Sequence, residues 1–513
     1  MRDVTELSPV PSRIVIVGSG LAAWTAASAL ARTLRRGDCS ICVVHDERDD
    51  SNDVCEVADS TLPLIEPGHF ALELDEDAII ARTRGSFTYG IALNGWSDAA
   101  ATWFHSFGSV GASLGPVSFH HVLMRLRREG LPLRLANYSL PALAAQAGRF
   151  ARPGSDPRSV LSTCRYGLQV DCARLAGLLK VEAESAGVTS LPGPFVRAKR
   201  RDDGAIAAIL GGNDWIEGDL FLDCTGTDAR LLHDATDAGW EDWSSWLPCD
   251  RFVSARIDTR HPPPPYSIAA AHRAGWVRHV PLQGTTWLTG FHRSDLMSED
   301  EALDTLRKSA GSNDLSHVRS GPVRPGRRTR PWQGNCIAIG AAAALIDPIA
   351  TSNLHLMRAS IDHLLGLLPG GRKADVEARE FNRLTALQHD HARDFATLHY
   401  KLNGRHGDSF WDECRAMSLP ATLDYKFRSY ESRGRIALYD EEPLEETSWL
   451  NLFDEHGVRP RRYSPLADGF STAELQAHVE RVRAIMLDEL ARMPMHGDYL
   501  ARLQAPAEHR SSQ

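Results

Sequence analysis

The hydrophobic pattern near the start of the chain predicts a strand, a tight turn, a helix and a second strand. Arg13 to Val17 is a short run rich in β-branched residues, and glycines follow it. Ala22 to Leu34 is an alanine-rich segment, and Ser40 to Val44 is a second β-branched run. This order predicts a βαβ unit with parallel strands.

Apolar periodicity predicts further helices and strands along the rest of the chain. Helices are expected at Asp75–Arg82, His120–Arg128, Asp171–Ala186 and Leu354–Leu368, and from Val376 onward the pattern is mainly helical. Strands are expected at Leu220–Asp223, Trp276–Pro281, Thr286–His292 and Asn335–Gly340. A chain that mixes the two kinds of element in this way is typical of an α/β fold.

Composition narrows the class of protein. The chain has 513 residues, of which 43% are apolar, enough for a large core. Its formal net charge is −9 with histidine counted as neutral. Nucleic-acid binding needs a basic surface, so we expect no nucleic-acid partner.

The sequence predicts a cytoplasmic protein that does not cross a membrane. The N-terminus has no apolar signal core, and the longest apolar run, Ile337 to Ile346, is too short to span a bilayer. The nine cysteines are scattered and odd in number, which is typical of reduced thiols.

No metal site is expected either. Cys39 and Cys42 form one CxxC pair, but a zinc site would want a second pair at similar spacing. His389, His391 and His399 are close in sequence, but residues two apart in a helix point to different faces.

The segment Gly18 to Ala23 has the pattern GxGxxA directly between the first predicted strand and helix. Gly18 permits the tight turn, Gly20 lets the backbone approach a pyrophosphate, and Ala23 keeps the helix close to the sheet. Ser19 and Ala22 complete the motif, and the helix N-terminus offers free N–H groups to the phosphates. The context predicts a dinucleotide site.

The ribose contact of such a site is expected at the end of the second strand. Here His45 occupies the usual acidic position and Asp46 follows it, so either residue could make this contact. Only one nucleotide fingerprint is present, so we expect electrons to arrive from another protein.

Several further segments resemble the flavin-dependent tryptophan halogenases. Asp59 to Pro63 (DSTLP) is similar to the EAT-(V/I/L)-P segment of that family. The other similar segments cover nearly the whole chain: Gly85 to Phe87 with Trp96, His105 to Ser109, Tyr166 to Asp171, Asp219 to Gly226, Trp243 to Asp250, Gly275 with Trp276, Val280 to Leu282, Pro325 to Arg327 with Trp332 and Asn335, His399 to Lys401, Ser409 to Trp411 with Arg415 and Pro420, Pro460 to Tyr463, and Pro494.

The resemblance implies a flavoprotein monooxygenase-like α/β fold with mixed sheets. It implies an FAD-binding module over residues 10–368 with an interleaved substrate-side sheet, a helical substrate module over 369–504 and a tail at 505–513. It also implies reduced FAD supplied by a separate flavin reductase, and a small aromatic substrate. A homodimer is compatible with it.

The resemblance also implies sets of cofactor and substrate residues. Besides the GxGxxA segment, the expected FAD contacts are Asp46, Asp223, Gly340, Asp347, Thr351 and Ser352, with Asp223 expected to order its strand end. The expected substrate pocket comprises Ala92, Phe107, Phe410 and Trp411, and these aromatic residues, like Trp103, Phe104 and Trp449, could instead be core.

Three positions depart from the family pattern. The family uses a lysine and a glutamate to steer hypohalous acid, and the resemblance places their positions at Ala92 and Ala350. No lysine or arginine occurs between Gly85 and Met124, so no local substitute exists. The second tryptophan of the WxWxIP signature is Arg278.

The remaining candidate residues for chemistry are His105 and Arg278. His105 resembles a histidine that lines the family's indole pocket, although an ordinary packed histidine is an equal alternative. Arg278 could bind an anionic substrate group or only fill the space of the missing tryptophan.

Three functions are compatible with these departures. The leading hypothesis is a reduced-FAD- and O₂-dependent oxygenase, in which a flavin C4a-hydroperoxide oxidises an aromatic, indole-like substrate. The first alternative is a halogenase with a non-standard active site that uses freely diffusing hypohalous acid or a distant amine. The second is a flavin-binding partner protein without turnover.

Overall fold

The computed structural model describes residues 11–34, 39–46, 61–63, 75–97, 102–235, 239–369 and 374–504. The strands are β1 (Arg13–Val17), β2 (Ser40–His45), β3 (Thr61–Pro63), β4 (Ser86–Thr88), β5 (Gly90–Asn94), β6 (Thr102–Ser106), β7 (Gly167–Gln169), β8 (Thr189–Pro192), β9 (Phe195–Arg200), β10 (Ile206–Gly211), β11 (Asp214–Glu217), β12 (Leu220–Asp223), β13 (Trp240–Asp242), β14 (Arg251–Asp258), β15 (Ser267–His272), β16 (Gly275–Leu282), β17 (Thr285–His292), β18 (Ser316–Pro322), β19 (Gly326–Arg328), β20 (Trp332–Gln333), β21 (Cys336–Ala338) and β22 (Ala344–Leu345). The α-helices are α1 (Leu21–Thr33), α2 (Glu76–Thr83), α3 (Phe119–Arg128), α4 (Leu140–Gln146), α5 (Cys172–Ser185), α6 (Arg230–Ala235), α7 (Glu299–Ala310), α8 (Asn353–Gly366), α9 (Asp375–Lys401), α10 (Ser409–Ala416), α11 (Ala421–Arg433), α12 (Glu446–Glu455), α13 (Thr472–Arg492) and α14 (His496–Gln504).

The α/β fold predicted from the sequence is confirmed. β1 and β12 have the bounds that the hydrophobic pattern predicts, and most other predicted elements shift by one or two residues. The predicted strand at Asn335–Gly340 is shorter, because β21 ends at Ala338 and Gly340 begins a 3₁₀ turn with φ +69°. A left-handed glycine cannot continue a strand.

The chain divides into two compact units, each built from three separate segments. The first comprises Met1–Thr83, Val170–Ser245 and Gly321–His391, and the second comprises Arg84–Gln169, Trp246–Ser320 and Ala392–Gln513. This division differs from the expected modules 10–368 and 369–504, because the strands of residues 246–320 fall in the same unit as the helices after residue 391.

The first unit contains a six-stranded sheet with the order β20-β21-β12-β1-β2-β8. β1 lies between β12 and β2 and is parallel to both, with Val17 opposite Asp223 and Val44. Apolar residues such as Val15 and Phe221 form a core below it. The carboxyl ends of these three strands therefore meet at one edge, where ligands of open parallel sheets bind.

The second unit contains a seven-stranded mixed sheet with the order β18-β14-β17-β16-β15-β5-β6. Alternate residues of a strand lie on opposite faces, and paired residues of neighbouring strands share a face. One face packs through Val253, Val277 and Leu288 against Leu306 of α7. The other face carries Trp103 and His105 and packs against the end of α9.

The described ranges contain no helix that is both long and apolar enough to cross a bilayer. The eight cysteines in these ranges form no disulfide with one another. In the same ranges, no group of three or more His, Cys, Asp or Glu side chains could hold a metal ion.

Candidate functional site

The turn between β1 and α1 is closed so tightly that it requires a glycine. Gly18 has φ +147°, and a Cβ atom there would lie 2.3 Å from the carbonyl oxygen of Cys224. Its N–H donates to the carbonyl of Val44 at 3.0 Å. Gly18 thus joins the ends of the three central strands of the first unit.

The neighbouring residue ties this turn to the end of β2. Ser19 Oγ accepts from the N–H of Asp46 and donates to its carbonyl, both at 3.0 Å. His45 is buried, with its Nε2 2.9 Å from Ser190 Oγ and its ring edge against Trp24. The structure therefore favours Asp46 over His45 as the ribose contact.

The first turn of α1 has the features of a phosphate site. Gly20 precedes the helix in an extended conformation and, as a glycine, has no side chain to cap it. Ala23 is fully buried, and a Cβ atom on Gly340 would lie 3.1 Å from that of Ala22. Small residues thus leave the backbone N–H groups accessible to a pyrophosphate, so the residues present fit an FAD dinucleotide.

Asp223 lies at the end of β12, where the sequence predicts that it orders the end of the strand. Its carboxylate accepts from the N–H and Oγ1 of Thr225 at 3.0 and 2.7 Å and from the N–H of Leu232 at 2.6 Å. The residue is fully buried, and burial raises the pKa of the carboxyl group. Its role is to fix the connection between β12 and α6.

The segment before α8 is held by hydrogen bonds between side-chain hydroxyl groups and main-chain groups. Thr351 Oγ1 donates to the carbonyl of Asp347 at 3.2 Å. Ser352 Oγ donates to the carbonyl of Thr61 at 2.6 Å and accepts from the N–H of His355, which caps the helix. Both hydroxyl groups are thus engaged in the local fold, and Ala350 contributes only a methyl group beside them.

The second unit contains an aromatic–imidazole cluster, which we define as two rows of three rings from β6, from α9, and from α12 together with His456, the residue that directly follows it. One row is His105, Phe395 and Trp449, and the other is Trp103, His399 and His456. The residues of each element are two, four and seven positions apart, so each element directs both of its rings to the same side.

The rings of this cluster are in contact. His105 lies 5.4 Å from Phe395, which meets the Trp449 ring edge-to-face at 4.9 Å. Trp103 stacks on His399 at 5.6 Å between ring centroids. Phe107, just beyond the end of β6, lies 6.3 Å from His105.

The cluster contains buried polar atoms that the protein does not satisfy. Within the described parts of the chain, neither ring nitrogen of His105 or His399 has a hydrogen-bond partner, and neither has Trp103 Nε1. Leaving such an atom unsatisfied costs about 1–3 kcal/mol. This arrangement is typical of a site that hydrogen-bonds a ligand.

Burial keeps the imidazoles neutral. It lowers the pKa of His105 to about 4, and burial together with the neighbouring His456 and His105 lowers that of His399 well below its usual range. At neutral pH each ring therefore offers one N–H donor and one acceptor nitrogen.

Ala92 and His105 lie on opposite faces of the seven-stranded sheet, although the sequence analysis expects both at the substrate site. Ala92 pairs with Phe104, whereas His105 pairs with Ile91. Ala92 therefore lies on the opposite face of the sheet, the one that packs against α7.

Arg278 is also separated from the cluster. It is buried and lies on the same face as Trp103, in a row that passes through Leu93 and Ala269. Three strand spacings separate the two residues, about 14 Å across the sheet.

Phe410 and Trp411 belong to a different set of aromatic residues. Trp411 packs against Trp96 and Tyr400, and its Nε1 donates to the carbonyl of His272 at 2.6 Å. Both residues are fully buried and contact each other. Both are thus packed among these aromatic residues, whereas Phe395, His399 and His456 contact the rings of β6.

Because of these neutral histidines, we expect the protein to lose stability in mild acid. The His105 pKa is about 4 in the fold and 6.5 in an exposed histidine, so the unfolded chain binds the proton first as the pH falls. The contribution of His105 to the free energy of unfolding is fully present above pH 6.5. It is lost as the pH falls towards 4, by about 3 kcal/mol. Urea unfolding at pH 7 and 5 measures this, and His105→Phe should show a shallower fall. An equal pH dependence in that variant would contradict the assignment.

Comparison with known proteins finds relatives that match nearly the whole chain. Residues 13–472 match the family model described as tryptophan halogenase. The flavin-dependent halogenase BrvH from Brevundimonas sp. BAL3 is 33% identical, with 96% of this chain and 99% of that chain covered and a TM-score of 0.91. Xcc4156, a flavin-dependent halogenase from Xanthomonas campestris, is 32% identical over 97% and 99%, with a TM-score of 0.90. The tryptophan 6-halogenase SttH from Streptomyces toxytricini is 25% identical over 90% of this chain and 89% of its own.

Proposed function

The chain belongs to the tryptophan halogenase family, and we propose that it is a reduced-FAD- and O₂-dependent oxidoreductase that oxygenates a small aromatic substrate instead of halogenating it. The observation that supports this proposal is the set of side chains around His105. The cluster supplies neutral imidazoles and aromatic rings, and no lysine or arginine occurs between Gly85 and Met124. Regioselective halogenation needs a group that holds the unselective oxidised halogen beside the substrate.

The first unit supports FAD as the cofactor. Gly18, Gly20 and Ala22 leave room for the pyrophosphate at the start of α1, and Asp46, which follows β2 and is bound to Ser19, is the residue that we propose for the ribose contact. When bound in its reduced form, FAD activates O₂. A flavin reductase is the partner that supplies this reduced form, since the sequence has a single nucleotide fingerprint.

The aromatic–imidazole cluster supports an aromatic substrate. A planar ring gains contact with Phe395 and Trp449, and exclusion of water strengthens each hydrogen bond there. The neutral His105 ring can accept a hydrogen bond from a ring N–H or donate one to a ring oxygen. This contact would fix which substrate atom is presented for oxidation.

Product analysis tests the proposal. The protein is incubated with FAD, NADH, a flavin reductase, indole and isotopically labelled O₂, with and without bromide. We expect a product that gains one labelled oxygen atom at the same rate in both mixtures. A product that gains bromine and no oxygen would contradict the proposal, and omission of the reductase is the control for flavin supply.

The second candidate function is halogenation by freely diffusing hypohalous acid. The named activity of BrvH and Xcc4156, at 33% and 32% identity, favours it. It requires a brominated product that depends on added bromide. Because hypohalous acid is unselective, the product would be a mixture of regioisomers, whereas a single isomer would point to a positioned halogen donor.

A further inference from the structure

A buried ion pair links α11 to the segment before α12. Lys426 Nζ donates to Glu442 Oε2 at 2.5 Å, and the two side chains are only 0% and 5% exposed. Removing two charges from water costs several kcal/mol for each, so a buried ion pair adds little net stability compared with apolar residues. Its presence suggests a role other than stability.

Both members of the pair contact Trp449. The second carboxylate oxygen, Glu442 Oε1, accepts from Trp449 Nε1 at 3.2 Å. Lys426 Nζ lies 4.0 Å from the centre of the Trp449 ring, within the range of a cation–π contact. The indole is thus held at its N–H by the carboxylate and at its face by the ammonium group.

Trp449 is also part of the aromatic–imidazole cluster. Its ring meets Phe395 edge-to-face, and Phe395 lies beside His105. We propose that Lys426 and Glu442 are positioning residues that hold the Trp449 indole as one wall of the substrate site. The inference rests on the proposed function, since it takes this cluster as the place where an aromatic substrate binds.

The same contacts argue against Lys426 as a halogen carrier. An amine must have a lone pair to attack hypohalous acid. Burial lowers the pKa of Lys426, but the ion pair with Glu442 and the contacts with the rings of Trp449 and Tyr439 favour its cation. The ammonium form has no lone pair, so this lysine serves to orient the indole.

Two double variants separate the hydrogen bond from the ion pair. Lys426→Met with Glu442→Gln removes both charges and keeps an acceptor for Trp449 Nε1. Lys426→Met with Glu442→Leu removes both charges and the acceptor. Equilibrium dialysis with indole should give a Kd within about twofold of the original protein for the first and about tenfold higher for the second. Equal Kd values for the two variants would overturn the proposal.

A third background keeps the test decisive if the leucine variant is less stable. In Trp449→Phe no indole N–H remains, so exchanging glutamine for leucine at 442 in the Lys426→Met background should no longer change the Kd for indole. A persistent tenfold difference would mean that Glu442 acts through general packing and would overturn the positioning role. Lys401→Met is the matched control: within the described residues, its ammonium group donates to the carbonyls of Arg415 and Met417. Its Kd should be unchanged.

These binding results are independent of the reaction. The Kd for indole reports on the wall that Trp449 provides, whereas product analysis reports whether oxygen or bromine is transferred. Normal indole binding with a brominated product would contradict the proposed function and leave the positioning role intact. An oxygenated product together with equal Kd values for the two double variants would contradict the positioning role and leave the proposed function intact.

Discussion

Replacing His105 by phenylalanine is expected to weaken indole binding by about 10- to 100-fold. Both ring nitrogens of His105 are buried and have no hydrogen-bond partner within the described residues. A substrate that hydrogen-bonds to one of them therefore gains binding free energy. Loss of such a contact costs about 1–3 kcal/mol. The Kd for indole by equilibrium dialysis, and kcat/KM for the oxygenated product, measure the loss. His105→Asn, which keeps a donor and an acceptor, should recover part of it.

The matched control lies on the other face of the same sheet. His279 is also a mostly buried histidine with a pKa lowered to about 4, but its Nε2 is already 2.7 Å from Ser309 Oγ. His279→Phe should lower the unfolding free energy and leave the Kd for indole unchanged. If both histidine variants weaken indole binding equally, the effect comes from general loss of packing, and His105 has no special contact.

The sequence predicts the nucleotide site well because its geometry is local. Gly18 to Ala23 contain the turn, the phosphate-binding helix start and the small residue that packs on the sheet. Even here, the structure is needed to identify the hydrogen-bond partners of Asp223. Its carboxylate is engaged by Leu232, nine residues further along the chain, and no motif signals that contact.

The substrate side is harder to predict because it depends on strand register and on distant segments. A difference of one residue moves a side chain to the other face of a sheet, which separates Ala92 from Ile91 and His105. The cluster also joins residue 103 to residue 456, and only the spacing within each element is visible in the sequence. The sequence signals are two spacings: Phe395 and His399 are four apart on one helix, and Trp449 on α12 is seven positions before His456, which directly follows that helix.

Substituting Gly18 by alanine is expected to abolish most FAD binding, with a rise in Kd on the order of 100-fold. The new Cβ atom would lie 2.3 Å from the carbonyl oxygen of Cys224, and alanine strongly disfavours φ +147°. The ends of β1 and β12 would have to separate, which moves the start of α1 away from the pyrophosphate. Quenching of FAD fluorescence on titration measures the Kd, and thermal unfolding should show a lower Tm.

Gly177→Ala provides the comparison for this glycine. Gly177 lies within α5, where an added Cβ atom meets nothing within 4 Å. Alanine is the better helix former by about 1 kcal/mol, so this variant should be slightly more stable and bind FAD normally. Normal FAD binding by Gly18→Ala would mean that the β1–α1 turn tolerates a side chain, and the dinucleotide would then have to be held elsewhere in the first unit.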